Sequence, residues 1–385
     1  MTARSAGSSS PDAHAPGDHT PRRRLHRAFT PAPAGPGTVR RMTVSPRPSR
    51  RSLVTGTLAG LGLAAVAGVP AAAAAARPPR VLVATNEPWG TYHVRPLLPE
   101  IARRGWDVRQ LVPDLSQIAP GETVPVVTPD DDPAADLLVV TGATDWPTDC
   151  AAAFGRHTPL AATSLAYLNA AEAPRAHELE RRLRLVTSSS AAEGRSFAGH
   201  LGTRRRVRVV GSPQTDALPT PAPEPGTVLV LTSVTYPDQT GGAAPGTQLL
   251  LDAAAALEAA GKHILVGLHP REDPQLWSRY EISPVPSLQA SARAEAAIGI
   301  PGTVFPLIAA AGVPVVGCVD PRLVVPDYLL AVCSSLIDTA ADAVPAVDSA
   351  TLPDDLEDVV GPVGGSAARL LDAWGRAARV RPARP

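Results

Sequence analysis

A chain of 385 residues that balances 36 basic against 36 acidic side chains carries no overall charge to draw it to nucleic acid or to an anionic membrane surface. A hydrophobic content of 44% is that of a globular protein, and the length suits two domains of ordinary size. Three cysteines, Cys150, Cys318 and Cys333, are an odd set without metal-ligand spacing, and no metal site is expected. Cys318 reads as a small buried hydrophobe, and a Cys318–Cys333 bridge stays open.

Residues 1–41 are rich in Pro, Ser, Arg and Gly and lack the apolar surface to fold, so they read as a disordered or mis-called extension with translation starting at Met42. Ser49-Arg50-Arg51-Ser52-Leu53 then precedes a weakly apolar stretch over 53–69 with four glycines, followed by Pro70 and an alanine run over 71–76. Residues 42–76 resemble a bacterial twin-arginine signal peptide. The stretch falls short of the roughly 20 strongly apolar residues of a stable span, so no stable membrane anchor is expected. The resemblance implies passage through the twin-arginine translocase and a mature chain, from about Arg77, that is secreted or otherwise extracytoplasmic.

The first half, over 77–218, opens with a short apolar run at 81–85, fit for a parallel strand buried on both faces. A loop over 86–93 leads to a helix over 94–104, where Leu97, Leu98, Ile101 and Ala102 recur at helical spacing and Gly105 supplies the stop. Further strands are predicted at 108–112, 137–141, 160–163 and 183–187, with helices near 148–154 and 176–182. Four prolines within 219–225 make a stiff linker over 219–226. The pattern restarts over 227–345: strand 228–232, helix 247–260 stopped by Gly261, strand 263–268, strand 296–300, a helix ending at Gly312 and strand 313–316. The tail over 346–385 holds an amphipathic helix near 366–379 with Leu370, Leu371 and Trp374 on one side. Alternating strands and helices in two blocks predict an α/β protein of two tandem Rossmann-like domains with an interdomain cleft.

Particular stretches carry a resemblance. Val209-Val210-Gly211-Ser212-Pro213-Gln214-Thr215-Asp216-Ala217-Leu218 resembles the interdomain Gly-Asn-x-x-x-Asp-Ala-Leu of UDP-N-acetylglucosamine 2-epimerases. His269-Pro270-Arg271-Glu272-Asp273 is similar to their His-x-Arg-Glu-Asn, and to the His-Pro motif of bacterial polysialyltransferases and CDP-glycerol transferases. Gly302-Thr303, ahead of a helix and of Gly312-Val313-Pro314-Val315-Val316, resembles the segment that holds donor phosphate in these families. Gly90-Thr91-Tyr92-His93, then a helix and Arg103-Arg104-Gly105-Trp106-Asp107-Val108, resembles their first unit. Over most of 80–316 the chain is thus similar to the GT-B glycosyltransferase superfamily. The resemblance implies glycosyl or glycerophosphoryl transfer, or sugar epimerisation, on a (nucleotide-)sugar or glycerophosphate donor, with no cofactor.

It also implies roles. His269 and Arg271 would stabilise a departing phosphate, Gly302 and Thr303 would bind it, and Glu272, Ser212 and Ser233 complete the expected ligand-binding set. In the first half, position in a loop after a strand makes His93 the candidate general base, with Glu87 next; Asp145 shares the placement. Asp216 reads as a cap or hinge, and Arg204-Arg205-Arg206 as a solvated loop. Where the relatives carry an acidic anchor for ribose or sugar, this chain has Phe305, Pro306 and Leu307. That departure keeps open a rival reading, a non-catalytic extracytoplasmic binder of a glycan or small molecule. A serine hydrolase is a third reading, but Ser188-Ser189-Ser190 lacks the Gly-x-Ser-x-Gly elbow.

Overall fold

In the computed structural model the described residues are 77–165, 167, 175–236 and 242–379, so the extension at 1–41 and the export signal at 42–76 lie outside them. The apolar run at the start of the first half forms strand β1 (Arg80–Ala84). Its side chains serve two cores at once, Leu82 and Ala84 on one face and Val81 and Val83 on the other. Such two-sided burial is what a near-continuous apolar run encodes. The strands that follow are β2 (Asp107–Leu111), β3 (Val126–Val127), β4 (Leu137–Val140), β5 (Leu160–Thr163), β6 (Leu183–Ser188) and β7 (Arg208–Val209). They form one parallel sheet in the order β3-β2-β1-β4-β5-β6-β7.

The second sheet repeats the plan with β8 (Thr227–Leu231), β9 (His263–Gly267), β10 (Glu281–Ile282), β11 (Ala296–Gly299), β12 (Val315–Cys318) and β13 (Ser335–Ile337). It is also parallel, in the order β10-β9-β8-β11-β12-β13. In both sheets the order reverses beside the first strand, which opens a crevice at the carboxyl ends of the strands. Two tandem Rossmann-like domains of the GT-B kind are the result.

Local departures from the expected elements have local causes. The first turn of the helix expected over 94–104 is a separate 3-10 turn at Arg95–Leu97 before the α-helix Leu98–Arg104, because Pro96 and Pro99 lack the N–H groups of a continuous ladder, and the expected loop holds a further turn at Thr91–His93. Gly105 ends it at φ 62°, as expected. The strand expected from 313 begins at Val315, since Pro314 enters the ladder only as an acceptor, from Ala297 N–H at 2.9 Å. Residues 219–224 run without helix or strand, and Ala222 and Glu224 donate to the Ala292 and Arg293 carbonyls at 2.7 and 2.8 Å. Cys318 packs with Val316 on one face of β12. Cys333 lies on the other face, where a Cβ on Gly317 would meet its Sγ at 3.0 Å. Both thiols are free, on opposite sides of the strand, and burial raises each pKa to about 12.

The last helix, Ser366–Arg379, does not stay with the second sheet. Leu370, Leu371 and Trp374, each 0% exposed, fill the same core as Val81 and Val83. The chain returns to the first domain through a narrow passage. Gly361 has φ 76° and ψ −170°, a conformation reserved for glycine, and a Cβ there would overlap the Ser189 carbonyl oxygen. Gly211, at φ 84°, meets Pro362 and Ser366 in the same way. Tyr167 O–H donates to the Val360 carbonyl, and Tyr328 O–H to the Tyr167 carbonyl at 2.9 Å. Gly361→Ala is therefore expected to lower stability by of order 1–3 kcal/mol. Chemical denaturation should report it as a shifted midpoint, and an unshifted midpoint would mean that the passage is wider than described.

Candidate functional site

The two crevices face one cavity of about 1140 Å³ between the domains. Its first wall is the segment after β1, which is pinned at several points. Asn86 N–H donates to Thr141 Oγ1 at 2.8 Å, Thr144 Oγ1 donates to Asn86 Oδ1 at 2.8 Å, and Gln110 Nε2 donates to the Pro88 carbonyl at 2.9 Å. Gly142 leaves room for Asn86, whose amide a Cβ would overlap. Further on, the buried Glu122 carboxylate accepts from Thr91 Oγ1, from Arg95 Nη2 at 2.8 Å and from Val124 N–H at 2.9 Å. Burial alone would raise its pKa, but the bonds from Thr91, Val124 and Arg95 outweigh that and hold it at about 2.

Between these ties sits His93, 4% exposed, lining the cavity with neither ring nitrogen hydrogen-bonded. Burial lowers its pKa to about 4, against the pull of Glu87. It is therefore a free base at neutral pH. The Tyr92 ring lies 4.0 Å from the His93 ring, and its hydroxyl donates to Glu87 Oε2. Burial first, then this bond and the Glu87 charge, raise the Tyr92 pKa, while Arg271 opposes them.

The facing wall follows β9. His269 N–H donates to Thr232 Oγ1 at 2.7 Å, and its Nδ1 accepts from Arg271 N–H at 3.2 Å. With Nδ1 an acceptor, the neutral ring carries its proton on Nε2. Burial lowers the His269 pKa, as does Arg271, with Glu87 opposing. The fields of Glu87 on His269 and of Arg271 on Tyr92 show that the two walls are in electrostatic reach of each other. His269 sits between Leu268 and Pro270, which line the cavity as Thr303 does, but His269, Arg271, Glu87 and Gly302 are not themselves among the lining residues.

The remaining expected residues are placed differently. Glu272 is 6% exposed and accepts from Thr235 N–H at 2.7 Å and Oγ1 at 3.1 Å, so its carboxylate ties the loop after β8. Ser212 is buried and accepts from Gln214 N–H at 3.3 Å, opening the turn Pro213–Ala217. Ser233 is half-buried in the loop after β8 and is not among the lining residues. Gly302 and Thr303 precede the helix Phe305–Ala310, whose N-cap is Val304 and which has no side-chain cap. Asp145 is exposed on the helix Asp145–Ala153, 3.7 Å from Arg175, and is not among the lining residues. Asp216 caps the last helix, accepting from Ser366 and Ala367 N–H at 2.7 and 2.8 Å. Ser188, Ser189 and Ser190 are each 0% exposed, and none is among the residues lining the cavity. Among the described residues, no cluster of His, Cys, Asp or Glu suits a metal ion. Tyr92, Gln214 and the loop through Pro284-Val285-Pro286 line the cavity without having been singled out.

No protein-family model matches the chain, and no curated protein matches it. Solved structures do. A putative UDP-N-acetylglucosamine 2-epimerase from Listeria monocytogenes aligns with a TM-score of 0.52 at 13% identity, over 80% of this chain and 99% of that one. UDP-GlcNAc 2-epimerase from Methanocaldococcus jannaschii gives 0.51 at 12% identity, over 77% and 99%. The wall teichoic acid polymerase TagF gives 0.51 at 10% identity, over 79% and 90%. At such identities the likeness is one of fold: two Rossmann-like domains around a cleft.

Proposed function

We propose that this chain is an exported GT-B-like glycosyltransferase or sugar-epimerase relative, whose cleft takes a sugar or glycerophosphate activated by a nucleotide. The observation that carries the reading is His93, a buried free-base imidazole with both nitrogens unpartnered at the wall of the interdomain cavity. Structures of the same fold support the ligand class: the M. jannaschii epimerase was determined in complex with UDP-GlcNAc and UDP, and a TagF variant with CDPG. In the transferase form, an acceptor hydroxyl gives its proton to His93, with Glu87 beside it, as its oxygen bonds to the transferred group. The bond from that group to the donor phosphate breaks at the same centre. The leaving phosphate is stabilised by the Nε2–H of His269 and by Arg271, with Thr303 and the Gly302 backbone nearby, an electrostatic contribution of the usual kind. Export rests on the leader at 42–76.

The test is thermal shift of the purified mature chain against nucleotides and nucleotide sugars. Stabilisation by one of them, lost in His269→Ala and in Thr303→Ala, is the expected result. A binding protein without turnover is the second reading. It is favoured by Phe305, Pro306 and Leu307, which are all buried where an acidic anchor would stand. The supply of nucleotide sugars, which are cytoplasmic metabolites, points the same way for an exported protein. Silence toward every nucleotide, with a response to free glycans, would replace the first reading by the second.

A further inference from the structure

Along the cavity lining, the charged groups are paired and the free hydrogen-bonding groups are uncharged. Arg95 is paired with the buried Glu122 at 2.8 Å, Arg103 with Glu100 at 2.6 Å, and Asp216 accepts from two backbone N–H groups. Glu100 also holds Arg104, which reaches Asp372 at 2.6 Å, so two acids answer two bases on this side. The bond from Arg103 leads the causes that hold the Glu100 carboxyl at about 2, which keeps it ionised and paired at neutral pH. His269 and Arg271, assigned to the leaving phosphate, are not part of the lining.

The free groups are amides and hydroxyls. Gln214, Ser287, Gln289 and Thr303 line the cavity, and their side chains have no hydrogen-bond partner among the described residues. Gln214 belongs to the turn Pro213–Ala217, which packs against Arg95–Leu97 of the first domain and Phe305–Ala310 of the second. Ser287 and Gln289 lie on the short helix Ser287–Ala290, and Thr303 precedes Phe305–Ala310. His93, 4% exposed with both ring nitrogens unpartnered, is a neutral addition from the first wall. A carboxamide both donates and accepts, and so does a hydroxyl. A charged occupant would have to break one of the internal pairs to find a counterion, and desolvating it without one is costly. A neutral molecule dense in hydroxyls meets groups that can donate and accept in turn. The volume of about 1140 Å³ exceeds the roughly 300–1,000 Å³ of a pocket for one drug-sized ligand, so a single sugar ring would leave most of it to water.

We propose that the cavity holds a neutral oligosaccharide as the acceptor, with one sugar hydroxyl toward His93 and others read by the carboxamides of Gln214 and Gln289. The proposal rests on the transferase reading for the acceptor's role and adds its chemical class. The anionic part of the donor is left to the His269 and Arg271 side, outside the lining.

Isothermal titration of the mature chain with cellotriose, maltotriose and N-acetylchitotriose, and with trigalacturonate as an ionised trisaccharide, tests it. At least one neutral trisaccharide should bind, with its monosaccharide and trigalacturonate each weaker by about tenfold or more. Gln214→Ala and Gln289→Ala should each weaken that trisaccharide about three- to tenfold, the worth of a neutral hydrogen bond or two. Circular dichroism should show an unchanged fold in both variants. No binding of any neutral trisaccharide at millimolar concentration overturns the proposal. So does trigalacturonate binding as tightly as the neutral compounds, or parental affinity in both variants. If nucleotides still stabilise the protein in those cases, the transferase reading survives without the proposal. Trisaccharide binding that depends on Gln214 and Gln289, with silence toward nucleotides, supports the neutral-sugar cavity and removes the transferase reading.

Discussion

Replacing Trp374 with alanine is expected to remove about 3–5 kcal/mol of stability, the range for deleting a large aromatic side chain from a core. The indole is 0% exposed, and its Nε1–H donates to Thr163 Oγ1 at 3.0 Å, which also accepts from Thr187 Oγ1 at 3.0 Å. Alanine would leave a cavity against β1, β4 and β5 and remove one partner from a buried hydroxyl. Trp374→Phe should recover most of the packing and lose about 1 kcal/mol with the hydrogen bond. Denaturant midpoints of the two variants check both numbers. If Trp374→Ala stays within about 1 kcal/mol of the parent, the last helix does not cover the first sheet in solution.

The consequence reaches the site. Asp216, in the turn that lines the cavity, holds the start of this helix, and Arg369 Nε donates to the Val210 carbonyl at 2.8 Å just before that turn. The crossing at 360–366 therefore binds the floor of the cleft to the core of the first domain. Loosening the helix would free the turn Pro213–Ala217, whose Pro213, Gln214, Asp216 and Ala217 line the cavity.

How far the sequence disclosed this depends on the range of the interactions. The central strands were readable because a strand buried on both faces leaves a run such as Val81-Leu82-Val83-Ala84, whose meaning is local. The two- and three-residue strands β3, β10 and β13 were not, since their partners rather than their own pattern make them strands. The helix Ala191–His200 left a signal that went unused. Ser190 accepts from Glu193 N–H at 3.1 Å, the Ser-x-x-Glu signature of a helix start, but Gly194 and Gly199 dilute the apolar stripe behind it.

The same distinction divides the site. Periodicity showed that Leu370, Leu371 and Trp374 share a side, but a stripe does not name the sheet it covers. His93 could be named from its place after a strand. Its isolation could not, because the tie that positions its segment comes from Glu122, 31 residues from Thr91. Glu272 looked available to a ligand in sequence and is committed to Thr235, 37 residues away.

That isolation of His93 has a measurable signature. Between about pH 6.5 and pH 4, the unfolding free energy of the parent chain is expected to fall by about 3 kcal/mol more than that of His93→Gln. The folded-state pKa is about 4 against an ordinary 6.5, because burial disfavours the imidazolium more than Glu87 favours it. Within that window the unfolded histidine takes up a proton and the folded one does not, so acid draws the equilibrium toward the unfolded chain. Above about 6.5 both forms are neutral and the difference vanishes. Carboxylates that titrate in the same range are common to parent and variant and cancel in the comparison. His269, half-buried and also lowered, is likewise common to both. Urea titrations at pH 7, 5.5 and 4 on the two proteins give the difference directly. Parallel curves across the range would mean that the ring has found a partner in solution. The case for His93 as a waiting base would go with them.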